Sequence, residues 1–261
     1  MFENAVELDP DFALAHAAIA NVCAQTYYNY DHDSVWLERA KSASRKAVAL
    51  RPELPEPVVA QAWILHAEDK NDEAVRCVRQ AIERKSDCEG AYYILGRALF
   101  ASGRYQELAS VADAAIEASG QDYNIFVPIL NALGALGKEE TLRNVRQRQI
   151  LALENHLRSV PEDARARVLL ADEYASSGRR EDATREANLA VALRPNDAIV
   201  LYNLACTFCS MGKKPEALDA IRKAWDAGFK DSDWARRDPD LALLHGDPEF
   251  ERLYPERPAG G

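Results

Sequence analysis

Two short clusters in this sequence carry residue types capable of chemistry: His66-Ala67-Glu68 and Cys206-Thr207-Phe208-Cys209. Together they echo a zinc deaminase site, where a histidine and two cysteines hold the metal and a glutamate moves the proton. The proline that precedes the first cysteine in such sites is missing, since position 205 is Ala205. Cys206 and Cys209 stand three apart, on one face of a helix, where two half-buried structural thiols are the plainer reading. Gly137-Lys138-Glu139 and Gly212-Lys213-Lys214 resemble fragments of a phosphate loop but lack the following Ser/Thr and the upstream glycine. No Gly-x-Ser-x-Gly elbow and no His-Glu-x-x-His pair occurs. The segment Tyr27-Tyr28-Asn29-Tyr30-Asp31-His32-Asp33 offers a recognition loop or a weak metal site; as plain structure, its tyrosines extend a helix and Asp33 caps the next. Arginines 143, 146, 148, 179 and 180 alternate with Glu140, Glu154, Glu181 and Asp182, which reads as a solvated face. No catalytic residue, cofactor or metal is expected.

The elements that must position any site follow from composition and period. The chain has 261 residues, 48% hydrophobic and 28% charged, and a formal net charge of −10, which argues against a nucleic-acid coat. Its longest uncharged stretches, 123–137 and 198–212, are too short for a membrane span. The first ten residues show no secretory signal. Five scattered cysteines make no disulfide framework, so a reducing, cytoplasmic setting is expected.

Segments ending at Pro10, Pro52, Ser86, Gly120, Pro161, Pro195 and Phe229 recur at intervals of 42, 34, 34, 41, 34 and 34 residues. The two long intervals exceed the period by about two helical turns, which lengthens a helix without rotating its buried face. Aligned on this period, His16, Val58, Tyr92, Phe126, Arg167 and Leu201 share one column, and Ile19-Ala20, Gln61-Ala62, Leu95-Gly96, Ile129-Leu130, Leu170-Ala171 and Leu204-Ala205 another. Offsets of three, four and seven give one face of an amphipathic helix. Gly103, Gly137, Gly178 and Gly212 follow, where a helix stops on a left-handed residue. A second helix then carries Ala40, Ala74, Ala183 and Ala217, with Ala47, Ala81, Ala115, Ala190 and Ala224 farther along. Each unit is a helix pair.

The strings YYILG with SGRYQEL at 92–108, LLADEY with SGRREDA at 169–183, and LYNLACTF with MGKKPEALDAIRKA at 201–224 resemble tetratricopeptide repeats. The best units are 89–122, 164–197 and 198–231; 55–88 is fair, and 13–54 and 123–163 are stretched. Gln61 and Arg167 fall in columns that are usually apolar, and the second helix of 123–163 lacks the small-residue columns, which suggests a bend between two halves. The resemblance implies an all-α, right-handed superhelical solenoid of six helix pairs. Residues 1–12 are expected to be the remnant second helix of a truncated repeat with an exposed apolar edge. Residues 232–261 are expected to form a helical cap, with Asp238-Pro239 and Asp247-Pro248 starting helices and Trp234, Leu241, Leu244, Phe250 and Leu253 covering the last repeat. Both ends together resemble the C-terminal repeat regions of bacterial signalling proteins that carry an N-terminal kinase, cyclase or DNA-binding domain.

By the same resemblance, the first helix of each pair lines a concave groove that binds a protein or peptide. The columns facing that groove are Trp63, His66, Tyr93, Arg97, Phe100, Asn131, Asp172 and Tyr202. Trp, Tyr and Arg on an exposed concavity are the types that dominate binding hot spots; the plainer alternative is that Trp63 and Phe100 fill gaps between adjacent helix pairs. A carboxylate clamp of the kind found in some relatives is not expected, because Ala17, Ala60, Val127 and Leu169 stand where its donors belong. The repeat frame also puts His66 and Cys206 four units apart, which separates the two halves of the zinc-like pattern. The expected partner is a protein or peptide rather than nucleic acid or membrane, with self-association through the N-terminal edge as a further expectation.

Overall fold

The computed structural model describes residues 1–29, 33–120 and 122–256, and among these there is helix and no strand. Tyr30, Asp31 and His32 of the tyrosine-rich segment lie outside the described residues. The chain divides into two compact units, 1–132 and 133–261.

In the first unit α1 (Phe2–Leu8) precedes three pairs of elements. They are α2 (Ala13–Asn29) with α3 (Ser34–Leu50), α4 (Glu56–Ala67) with α5 (Asn71–Arg84), and α6 (Ala91–Ala101) with α7 (Tyr105–Ala118). A single 3-10 turn, Tyr123–Ile125, leads into α8 (Phe126–Ala135), and the division falls inside this helix. The second unit continues with α9 (Glu139–Ser159), α10 (Ala164–Ser176), α11 (Arg180–Leu193), α12 (Ala198–Ser210) and α13 (Lys214–Asp226). The C-terminal segment folds as α14 (Ser232–Arg237), a 3-10 stretch Pro239–Leu244 and α15 (Pro248–Leu253). This order is compatible with six helix pairs and a helical cap.

Pairing follows from side-chain size. Ala40, Ala47, Ala74, Ala81, Ala183, Ala190, Ala217 and Ala224 are fully buried, so α3, α5, α11 and α13 lie close against their first helices. The turns that follow α4, α6, α8, α10 and α12 are closed by left-handed residues. Gly103 has φ 69°, and beyond it the Arg104 amide donates to the Leu99 carbonyl at 2.9 Å, closing the last turn of α6. In the pair α4–α5 the same place is taken by Asp69 at φ 60°, with the Lys70 amide donating to Leu65 at 2.9 Å. Asp33 caps α3 by accepting from the Val35 amide, as the sequence suggests.

Helix α1 buries none of its residues, and the Arg39–Glu3 ion pair ties it to α3. At the other end, Trp234, Leu241, Leu244, Phe250 and Leu253 are all buried. Asp238 and Asp247 accept from the amides two residues on, which starts the 3-10 stretch and α15. In α9, where small columns are missing, Val145, Gln149, Ile150 and Leu153 form the buried stripe instead.

Candidate functional site

The eight residues expected on an open groove are placed mostly under cover. Trp63 and His66 are 1% exposed and Phe100 is 0% exposed; Arg97, Asn131, Asp172 and Tyr202 are also buried, and only Tyr93 is half-buried. The expectation of an exposed set is therefore corrected, and the two units have different physical reasons for it.

In the first unit the neighbouring first helices α2, α4 and α6 bring their rings into contact. The Trp63 ring lies 5.6 Å from Tyr93 and 6.0 Å from His66, both edge-on. Tyr28 packs 4.5 Å from His66, and the Arg97 guanidinium lies 5.1 Å from the Tyr28 ring centre. His66 Nδ1 donates to Asn71 Oδ1 at 2.5 Å, so α4 is also joined to the start of α5. Cation over ring and edge-to-face rings each add to the gain from burial. Tyr28 and Tyr93, both half-buried, are what this cluster offers to the outside. The Phe100 ring packs 5.2 Å from Tyr105 of α7. Asn131 lies on α8 and is buried.

In the second unit the cover is the chain's own C-terminal segment. Tyr202 of α12 stacks on Phe229 at 4.0 Å and donates its hydroxyl to Asp238 at 2.7 Å. Close beside α8, a Cβ at Gly134 would lie 3.2 Å from the Pro239 ring. Asp172 of α10 accepts from the Ser210 hydroxyl at 3.0 Å, and Arg146 of α9 donates to Glu173 at 2.7 Å. Asp240 acts on Asp172, Glu173 and Asp238, and the Arg146 guanidinium faces Asp172, Glu173 and Asp240.

Burial raises all four carboxyls. Glu173 is pushed up to about 7 by burial, with Arg146 opposing. Asp238 also reaches about 7 through burial and then the charge of Asp240. Asp172 is held well above the usual carboxylate range by burial, then by Asp240 and Glu173. Burial lifts Asp240 as well, against the pull of Arg146. Nearby, burial pushes the Cys209 thiol up to about 12 and raises Cys206 too, so both are poor nucleophiles.

The sequence reading missed Arg146, Glu173, Asp238 and Asp240. It assigned Arg146 to a solvated face, yet Arg146 lies three and four residues before the buried Gln149 and Ile150, on the same stripe of α9. That stripe was the available signal. The zinc-like pattern does not assemble locally either: Glu68 pairs with Lys41 and Lys70, and the two cysteines belong to the other unit. Among the described residues no group of three or more His, Cys, Asp or Glu is arranged to hold a metal ion.

Residues 59–123 match the tetratricopeptide repeat family. Across the described helices, the human IFIT1 dimer with PPP-AAAA aligns over 97% of this chain and 65% of its own, at a TM-score of 0.60 and 16% identity. The Cut9–Hcn1 hetero-tetramer of APC/C covers 97% of this chain and 44% of its own, at 0.55 and 16%. A thermophilic repeat protein of Thermus thermophilus covers 73% and 98%, at 0.53 and 21%. The chain has the tetratricopeptide repeat fold. At identities this low the structural likeness speaks for tetratricopeptide architecture alone. Among sequence relatives, anaphase-promoting complex subunit 7 of Mus musculus is 30% identical over 131 residues, and that of Homo sapiens 29%. These stretches are 50% of this chain and 21% of each relative, so the chain spans about a fifth of the length of the curated relatives it matches. Tetratricopeptide repeat proteins are protein-interaction scaffolds and in general not catalysts. No helix among the described residues is long and apolar enough to cross a membrane.

Proposed function

We propose that this chain is a non-catalytic scaffold that binds a protein or peptide segment along its row of first helices, in a cytoplasmic setting. The observation that carries the reading is the ring cluster of α2, α4 and α6, which presents half-buried Tyr28 and Tyr93 over buried Trp63, His66 and Arg97. Aromatic side chains fixed in place lose little entropy when a partner packs on them, and such residues dominate binding energy. The matching row in the second unit, at Asp172 and Tyr202, is already filled by residues 238–244, so binding centres on the first unit. The test compares partners captured by wild type and by Tyr93→Ala of equal helicity. A partner kept by the wild type and lost by the variant supports the reading. Equal retention would move binding off this cluster.

The second reading is a regulatory or self-association module within a larger bacterial signalling protein that carries a kinase, cyclase or DNA-binding domain. It is favoured by the apolar edge at α1, where Phe2, Leu8, Phe12 and Leu14 are exposed. Sedimentation over a range of concentrations tests the self-association: a mass that doubles for wild type but not for Phe12→Lys supports it, and a constant monomer mass refutes it.

A further inference from the structure

The 3-10 stretch Pro239–Leu244 lies on the second unit's first helices as a strap held at both ends. Before it, α14 is fixed by the buried Trp234. After it, α15 is fixed by the buried Phe250 and Leu253. Two ion pairs also tie this end to α13: Arg222 donates to Glu249 at 2.6 Å, and Lys214 stands 3.0 Å from Asp247. Between the anchors, Asp238 takes the Tyr202 hydroxyl of α12, and Pro239 lies against Gly134. Leu241 and Leu244 of the strap are fully buried.

Anchors and strap differ in charge balance. Asp247 has Lys214, Glu249 has Arg222 and Glu251 has Arg236, and these partners hold all three carboxyls below their usual range. They stay ionised across neutral pH. The strap instead brings Asp240 against Asp172 and Glu173 of α10, with Asp238 beside Asp240. Arg146 of α9 faces Asp172, Glu173 and Asp240, and the Ser210 hydroxyl of α12 donates to Asp172. Asp238 is faced by Asp240 and by two neutral donors, the Tyr202 hydroxyl and the Trp234 indole. Cys206 and Cys209 of α12 adjoin the same carboxyls, and Lys214 acts on Cys209. Ionising all four carboxyls sets the strap and α10 against each other across a contact with little water, where repulsion is poorly screened.

We propose that residues 238–244 form a pH-gated strap over the second unit's row of first helices. It lies closed near pH 5.5 and lifts off α10 and α12 in a local opening as pH rises toward 8, while α14 and α15 stay docked. This deepens, and rests on, the reading of the first helices as the partner-binding face: part of that face is uncovered only when the strap lifts. The sign follows from linkage. Burial under the strap pushes Glu173 and Asp238 up to about 7, and both return toward ordinary carboxylate values once it lifts. The closed state therefore loses its bound protons as pH passes through about 7, and with them part of its advantage. The opening constant should rise about 10-fold or more between pH 5.5 and pH 8.

The test uses the full chain and its own thiols. Cys206, beside Asp238 and Asp240, is 2% exposed and reacts only on opening; Cys88 of the first unit, 4% exposed, is the reference. Both are alkylated with N-ethylmaleimide at pH 5.5 and pH 8 and followed separately by mass spectrometry. Each rate is divided by that of an unstructured cysteine peptide at the same pH, which removes the change in thiolate. The divided rate of Cys206 is expected to rise about 10-fold or more, and that of Cys88 less than about 3-fold. The rise should be insensitive to about 1 M urea, because a local opening exposes little surface. Asp238→Asn/Asp240→Asn keeps the hydrogen-bond acceptors and removes two charges, so it should hold Cys206 near its pH 5.5 rate at pH 8. No partner enters these measurements, so their failure is separate from failure of the binding reading. A Cys206 rate that stays within about 3-fold, climbs with urea or rises in step with Cys88 would overturn the proposal. So would an asparagine variant that responds to pH like wild type.

Discussion

The hydroxyl of Tyr202, on α12, donates to the carboxylate of Asp238 across 2.7 Å, and both side chains are buried. This bond joins a repeat helix to the segment that covers it. Removing the hydroxyl leaves a buried carboxylate with one fewer donor, which costs about 1–3 kcal/mol. Tyr202→Phe is therefore expected to lower the denaturation midpoint in urea with an unchanged slope. Because the Tyr202 bond lowers the Asp238 pKa, the loss should be larger near pH 8 than near pH 5.5. A midpoint equal to that of wild type at both pH values would show that the bond contributes nothing.

A pH dependence follows from the carboxyls around it. Folding raises Glu173 and Asp238 to about 7, from ordinary values of 4.5 and 3.8. The folded chain therefore holds protons that the unfolded chain releases. Their contribution is fully present below the ordinary carboxylate range and is lost as pH rises through about 7. Arg146 and Asp240 face Glu173, while Asp240 and the Tyr202 hydroxyl face Asp238. Thermal unfolding is expected to occur at least about 2–4 °C lower near pH 8 than near pH 5.5, which corresponds to about 1 kcal/mol. Asp240→Asn removes one of the repelling charges and should flatten the slope. A Tm that rises over this interval would refute the assignment.

Gly96 tests how closely α6 approaches α8. A Cβ there would stand 2.9 Å from the Pro128 ring, which has no rotamer to yield. Alanine improves helix propensity by about 1 kcal/mol, while forced overpacking costs about 1–3 kcal/mol. The clash should win, and Gly96→Ala should lower Tm. A gain in Tm would mean that the two helices separate at little cost.

The period, the alanine columns and the glycine stops made the helix pairs legible, because each pair is built from contacts within a few dozen residues and repeats its own pattern. The cover over Asp172 and Tyr202 was not legible. Their columns look like any other groove column, and what buries them is a Pro-Asp-Leu segment from 36 to 68 residues away that follows no period. The columns put Trp63, His66, Tyr93 and Arg97 on one face, and the rings of Trp63, His66 and Tyr93 pack against one another there. Sequence columns show which face a side chain takes, while the separation of adjacent first helices decides whether rings meet across it. The alternation of charge in α9 likewise hid Arg146, whose partner Glu173 lies on the next helix.

The turn between α4 and α5 departs from the glycine rule, and that departure can be measured. Asp69 sits at φ 60° where the later turns have Gly103, Gly137, Gly178 and Gly212, all at φ between 64° and 78°. A left-handed backbone brings the Cβ of an L residue against the following carbonyl, a cost of roughly 1–2 kcal/mol that glycine avoids. Glycine gives back part of that gain by widening the unfolded ensemble. Asp69→Gly is therefore expected to stabilise the chain by up to about 1 kcal/mol, seen as a higher urea midpoint, with Asp69→Ala moving it the other way. If glycine lowered the midpoint instead, the aspartate side chain would be contributing more at this turn than its backbone costs.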